Sequence, residues 1–157
     1  MTPSKVEIVR LDAMRIASAY GFGANPEELA WNALVEWAKP KGFLDDITGH
    51  PIFGLNNPYP SPTSARYGYE FWIKVGPEVE PAGGIRIGEF MGGMYAVTRC
   101  EVRGHPESSI PNGWQELVQW CKTNDHTPGS HHALERFLTS PTDLSNLVID
   151  LCCPIIS

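Results

Sequence analysis

Trp31-Asn32-Ala33-Leu34-Val35-Glu36-Trp37-Ala38-Lys39 can be laid over Trp114-Gln115-Glu116-Leu117-Val118-Gln119-Trp120-Cys121-Lys122 without a gap. Trp, Leu, Val, Trp and Lys coincide at a constant offset of 83 residues, Trp31 onto Trp114. Tryptophan is rare, so two coincident pairs point to a duplicated supersecondary unit. In each copy the positions 31, 34, 35, 38 and 114, 117, 118, 121 fall on one helical face. The spacing predicts two helices with Trp31 and Trp114 packed in the core; Trp37 and Trp120 stand one step off that face. The first helix is expected to start with Asn25 as N-cap, Pro26 in its first position and Glu28 three residues after the cap. It is expected to stop at Lys39-Pro40-Lys41-Gly42. The second is expected to run from near Pro111 to about Lys122.

Around each helix the pattern turns strand-like. Val6–Arg10 and Met14–Tyr20 precede the first helix, and Pro51–Phe53 and Tyr67–Val75 follow it. Ile85–Phe90 and Met94–Cys100 precede the second, and His132–Leu138 and Leu147–Cys152 follow it. Alternation and the β-branched and aromatic content support strands. The fold class is therefore α+β, a βαββ unit used twice. One domain over 1–157 is expected, with repeat 1 at about 5–76 and repeat 2 at about 84–155, joined by the turn-rich Gly76–Gly84. A sheet covered by a helix on one face must do something with the other. The expectation is that the two uncovered faces meet about a pseudo-two-fold and form a shared ligand groove.

Charge and composition narrow the function. Lys and Arg total 12 against 18 Asp and Glu, a net charge of −6. Nucleic-acid binding needs clustered positive charge, so that class is not expected. No apolar run is long enough to span a membrane, and the N-terminus shows no signal-peptide core, which reads as a cytoplasmic protein. Cys100, Cys121, Cys152 and Cys153 contain no Cys-x-x-Cys and read as reduced thiols; no metal and no cofactor is expected. Other motifs are weak. His131-His132 points to opposite strand faces, Gly21-Phe22-Gly23 is half a phosphate loop, and Ser108-Ser109 has no nucleophile elbow. The proline-rich stretch Gly54–Pro62 reads as a loop at the rim of the groove.

Period-two alternation then selects candidate groove residues. In Tyr67–Val75 the set Tyr67, Tyr69, Phe71 and Ile73 fits under the first helix, leaving Glu70 and Trp72 toward the groove. The same logic on His131–Leu138 puts Leu134 and Leu138 in the core and Glu135 and Phe137 toward the groove. Each half would offer one carboxylate and one aromatic, a combination suited to flat organic cations.

These residues resemble the GyrI-like small-molecule-binding domain family, also called the AraC effector-binding or SOUL-like fold. The resemblance runs from about Lys5 to Ile155. It rests most on Ile52-Phe53-Gly54-Leu55-Asn56-Asn57-Pro58, on Tyr67-Gly68-Tyr69-Glu70-Phe71-Trp72-Ile73, and on the Glu135 strand with the closing Cys153-Pro154-Ile155. It implies a βαββ duplication with a ligand cleft between the halves, and a stand-alone ligand domain without a helix-turn-helix. Relatives include drug-sensing regulators, multidrug-binding proteins, a gyrase-inhibitory protein and hydrolases that open the cyclopropane of alkylating natural products. The family's cleft glutamate matches Glu135. Relatives often carry a tyrosine two residues on, where this chain has Phe137, so a phenol would have to come from Tyr69 or another tyrosine.

The function expected is polyspecific binding of flat aromatic, often cationic, small molecules, as in drug resistance. Glu135 and Glu70 would supply charge. Trp72, Phe137 and Tyr69 would stack on the ligand, and Met91 and Met94 would let the walls adapt. The alternative is a hydrolase with Glu135 as the catalytic base for water attacking a strained ring. A protein partner such as gyrase is the least favoured reading.

Overall fold

The computed structural model describes residues 5–57 and 63–156. The strands are β1 (Val6–Leu11), β2 (Met14–Gly23), β3 (Ile52–Asn56), β4 (Tyr67–Lys74), β5 (Arg86–Phe90), β6 (Gly93–Glu101), β7 (Leu134–Phe137) and β8 (Val148–Ile155). The helices among the described residues are α1 (Pro26–Ala38) and α2 (Pro106–Thr123). Every strand read from alternation is present. Residues Pro58–Pro62 of the expected rim loop lie outside the described residues.

The chain divides into two compact units. One is Met14–Phe90; the other joins the segment up to Ala13 with the segment from Met91 onward. In the first, antiparallel pairing gives the order β3-β4-β2-β5, with α1 packed on β2 and β4. In the second, the order is β7-β8-β6-β1, with α2 packed on β6 and β8. Reading β3, β4, β2 as β7, β8, β6 makes the two topologies the same. The duplication is thus present strand for strand, with one exchange: β1 pairs with β6 and β5 with β2, so the first strand of each sequence copy completes the unit built from the other.

The strand–helix contact in the first unit depends on small side chains. Ala17, Ala19 and Gly21 alternate onto the α1 side of β2, and both alanines are fully buried. A Cβ on Gly21 would clash with the Pro26 carbonyl oxygen and sit 2.9 Å from the Ala30 nitrogen. Only glycine lets the helix start that close to the sheet.

Four details differ from the sequence reading. Asn25 is the N-cap of α1, but its side chain makes no capping bond; its carbonyl accepts the Leu29 N–H at 3.4 Å instead. Helix α2 starts at Pro106, not near Pro111, which becomes an interior residue. Two prolines compete for the first position, and the earlier one satisfies it; the later one leaves the Glu107 carbonyl without a ladder donor. Trp37, expected off the core face, is buried, because the chain turns back at Gly42 (φ +75°) and brings Phe43 to 5.6 Å and the Lys41 ammonium to 5.3 Å from its ring. Trp31 and Trp114, expected in the core, are each only half-buried.

Candidate functional site

In the second unit, α2 lies over the face of the sheet that carries Cys100, Leu151 and Cys153. The Cys100 thiol donates to the Ser109 carbonyl in the first turns of α2, and Gly113 of α2 sits directly over Leu151. Glu135 pairs with Leu151 and Phe137 with Ile149, so both side chains share that helix-bearing face. This reverses the expected assignment, in which Leu134 faced the helix. The reason is that this sheet is buried on both sides. Leu134, Tyr95 and Cys152 on the other face are at most 2% exposed, as are Leu151 and Ile149 under the helix. Apolar content therefore does not tell the faces apart.

Glu135 is half-buried there, and the indole N–H of Trp114 donates to its Oε2 at 3.1 Å. Trp114, Leu117 and Cys121 form the sheet-facing stripe of α2, with the last two buried. Phe137 is buried beside Glu135. Met94 is half-buried, and its register with Ile155 puts it on the same face at the far end of β6. A carboxylate oriented by an indole, beside apolar and aromatic side chains, can pair with a cation whose aromatic groups stack nearby.

In the first unit, the expected face assignment holds. Phe71 packs under α1 against Trp31 (centroids 5.2 Å apart) and against Tyr69 (5.1 Å). Glu70 and Trp72 point to the helix-free side, where they are 9% and 6% exposed rather than open. Glu70 Oε1 accepts from Ser18 Oγ at 2.8 Å and from Trp72 Nε1 at 3.1 Å, and Oε2 accepts from Asn57 Nδ2 at 2.6 Å. Burial alone would push this carboxyl up. The three donors and the Arg86 charge outweigh it and hold the group below its ordinary value. Asn57 is held in turn by the Tyr20 hydroxyl, which donates to its carbonyl at 2.8 Å, and by its N–H to Gly68 at 2.8 Å. Glu70 thus ties β2, β4 and the end of β3 together. Trp72 lies 5.7 Å from the Phe90 ring on the same side.

The two carboxylates are consequently not equivalent. Glu70 stands on β4, whose counterpart by topology is β8, where Asp150 on the helix-free face pairs with Arg99 in β6. Asp150 accepts from Arg99 Nε at 3.2 Å. It helps line an open depression of about 320 Å³ with Lys5, Glu7, Val97 and Arg99, whose charges are paired and which holds no aromatic ring. Glu135 stands on β7, whose counterpart by topology is β3, where Gly54 on the helix-bearing face pairs with Phe71. The Tyr69 hydroxyl lies over Gly54, where a Cβ would come within contact of it. One helix-bearing face carries Trp31, Phe71 and Tyr69, the other Trp114, Glu135 and Phe137.

The structure also adds Trp31 and Trp114, which the sequence reading left in the core. Their signal was present in the offset repeat; what it lacked was the partner each meets on the sheet. Met91 lies outside the strands and is 81% exposed, and Met94 does not share its setting. No cluster of three or more metal-ligating side chains occurs among the described residues, and no helix there is long and apolar enough to cross a membrane.

Solved structures share this fold. The C-terminal domain of EcmrR superposes with a TM-score of 0.71 at 12% identity, covering 98% of each chain. A hydrolase from Listeria innocua superposes at 0.71 and 13% identity, over 99% of this chain and 94% of that one. SAV2435 bound to tetraphenylphosphonium superposes at 0.58 and 10% identity, over 98% and 94%. In the EcmrR–DNA complex the EcmrR chain is longer, and the present chain spans 57% of it. No curated protein sequence matches significantly. At such identities the structures establish the fold; kinship is carried by the sequence itself, whose residues 4–156 match the GyrI-like small molecule binding domain, and the chain belongs to that family.

Proposed function

We propose that this small-molecule-binding domain takes up lipophilic aromatic cations, with Glu135 as the counter-charge. The observation that carries the reading is the Trp114–Glu135 pair: a half-buried carboxylate, aligned by an indole N–H, beside the apolar side chains of Phe137 and Leu151. A cation there relieves the cost of desolvating the carboxylate, and aromatic walls add their quadrupole attraction of about 0.5–2 kcal/mol each. Trp114 and Phe137 are the adjoining aromatics. Glu70 is assigned a structural role, because both of its oxygens already accept strong hydrogen bonds. Support also comes from the relative that holds tetraphenylphosphonium, a cation of this class.

A second reading is favoured by the relative that is a hydrolase. In it, Glu135 takes a proton from the water that attacks a strained, already reactive ring, with the aromatics holding the substrate. The experiment that separates the two is incubation with a cyclopropane-containing alkylator followed by mass analysis. A binder returns the compound intact, and a hydrolase returns it with one water added.

A further inference from the structure

Helix α2 carries a single glycine, Gly113, in its interior. An interior glycine weakens a helix relative to alanine, so its place calls for a reason in the packing. The reason lies on the sheet below. A Cβ on Gly113 would stand 2.8 Å from Cδ1 of Leu151 and 3.8 Å from the Cys100 sulfur. Leu151 is fully buried, so its end has no free space to swing into. The same turn of α2 is tied to β6 by the Cys100 thiol, which donates to the Ser109 carbonyl at 3.6 Å. The first unit makes a close helix–strand contact at the same place in the repeat. At the offset of 83 residues Ala30 of α1 falls on Gly113, and a Cβ on Gly21 of β2 would sit 2.9 Å from the Ala30 nitrogen. There the glycine is on the strand; in the second unit it is on the helix.

The next residue of α2 is Trp114, whose indole N–H donates to Glu135 Oε2 at 3.1 Å. Glu135 stands on β7 directly across from Leu151. Gly113 thus rests on the cross-strand neighbour of the residue that Trp114 reaches, and the height of α2 over Leu151 sets the reach of the indole. We infer that Gly113 is a positioning residue for the cation site: it holds α2 low enough for Trp114 to align Glu135, and so sets the preference for cations over neutral ligands of the same shape. The inference rests on the reading of Glu135 as the counter-charge. A methyl at position 113 needs about 0.6 Å more room to relax its contact with Leu151 from 2.8 to 3.4 Å. Carried to Trp114, that displacement stretches the 3.1 Å bond to roughly 3.7 Å, outside hydrogen-bonding range.

The test reads the full chain in two ways. In the ligand-free protein, the Trp114 indole N–H proton is followed by NMR, assigned by its absence in Trp114→Phe. Affinities for tetraphenylphosphonium and for the neutral triphenylphosphine oxide are then titrated. In Gly113→Ala the indole proton should move upfield as its bond to Glu135 is lost. The phosphonium should bind roughly 5-fold more weakly and the oxide as before. Leu151→Val removes the methyl that the new one would meet, so adding Gly113→Ala in that background should leave both readouts as they are in Leu151→Val alone. An unmoved indole resonance in Gly113→Ala, equal weakening of both ligands, or an effect undiminished by Leu151→Val would overturn the inference. A wild-type chain without preference for the cation would instead overturn the charge role of Glu135, while the indole resonance would still decide whether Gly113 positions Trp114.

Discussion

Glu70 and Glu135 look alike in sequence, each beside an aromatic on a strand, and their surroundings give them different work. Glu70 is buried under three donors and held below the ordinary carboxylate value of 4.5. A carboxyl whose folded value is depressed adds stability that is complete above the unfolded value and is lost as pH falls through the folded one. Glu70→Gln should therefore flatten the acid limb of the stability curve below about pH 4.5. Glu70→Ala, which strands the Ser18 and Trp72 donors, should cost about 1–3 kcal/mol at neutral pH in denaturant unfolding. Unchanged stability in both variants would remove the structural role. Trp114→Phe keeps the ring and deletes the donor to Glu135; it should leave stability within about 1 kcal/mol while weakening cation binding several-fold, read by titration. Alternation in sequence singled out both glutamates as candidates, and it placed Glu70 but not Glu135 on the face it occupies. It could not find their partners, because Ser18, Asn57 and Trp114 come from other elements and only the register brings them in.

At the scale of elements, the close approach of α1 to β2 and the interior proline of α2 are the informative sites. Gly21→Ala places a methyl against backbone atoms of α1, which cannot rotate away, so α1 must lift. A loss of about 1–3 kcal/mol or more is expected in urea unfolding, and a neutral substitution would contradict the packing. Pro111→Ala restores an N–H opposite the Glu107 carbonyl and relieves the ring clash in α2. It should raise stability by about 1–3 kcal/mol, less the entropy the unfolded chain regains. The helices, their spacing and all eight strands were legible from periodicity and from the offset repeat. The start of α2 was not, because two prolines five residues apart send the same local signal. The inward face of β7 was not legible either, since a strand buried on both sides carries no amphipathic contrast.

At the scale of the whole molecule, the duplication was legible and the strand exchange was not. Sequence similarity marks copies, whereas pairing marks units, and β1 and β5 each pair within the unit of the opposite copy. A fragment spanning residues 14–90 retains the order β3-β4-β2-β5 and α1, and is expected to unfold cooperatively. A fragment spanning residues 5–76, the contiguous sequence repeat, carries β1 without β6 and β2 without β5, and is expected to lack a cooperative transition. Circular dichroism against urea on the two fragments reads the difference; the reverse ranking would count against the assignment of units.

The central claim is that Glu135 supplies the charge that selects cations. The most direct measurement is a paired titration of tetraphenylphosphonium and the neutral triphenylphosphine oxide, followed by tryptophan fluorescence, on the wild-type chain, Glu135→Gln and Glu70→Gln. The expected result is tighter binding of the cation by wild type, a loss of about 1–3 kcal/mol for the cation alone in Glu135→Gln, and a smaller change in Glu70→Gln. Equal affinity for both ligands in wild type, or a cation affinity that survives Glu135→Gln, would contradict the claim.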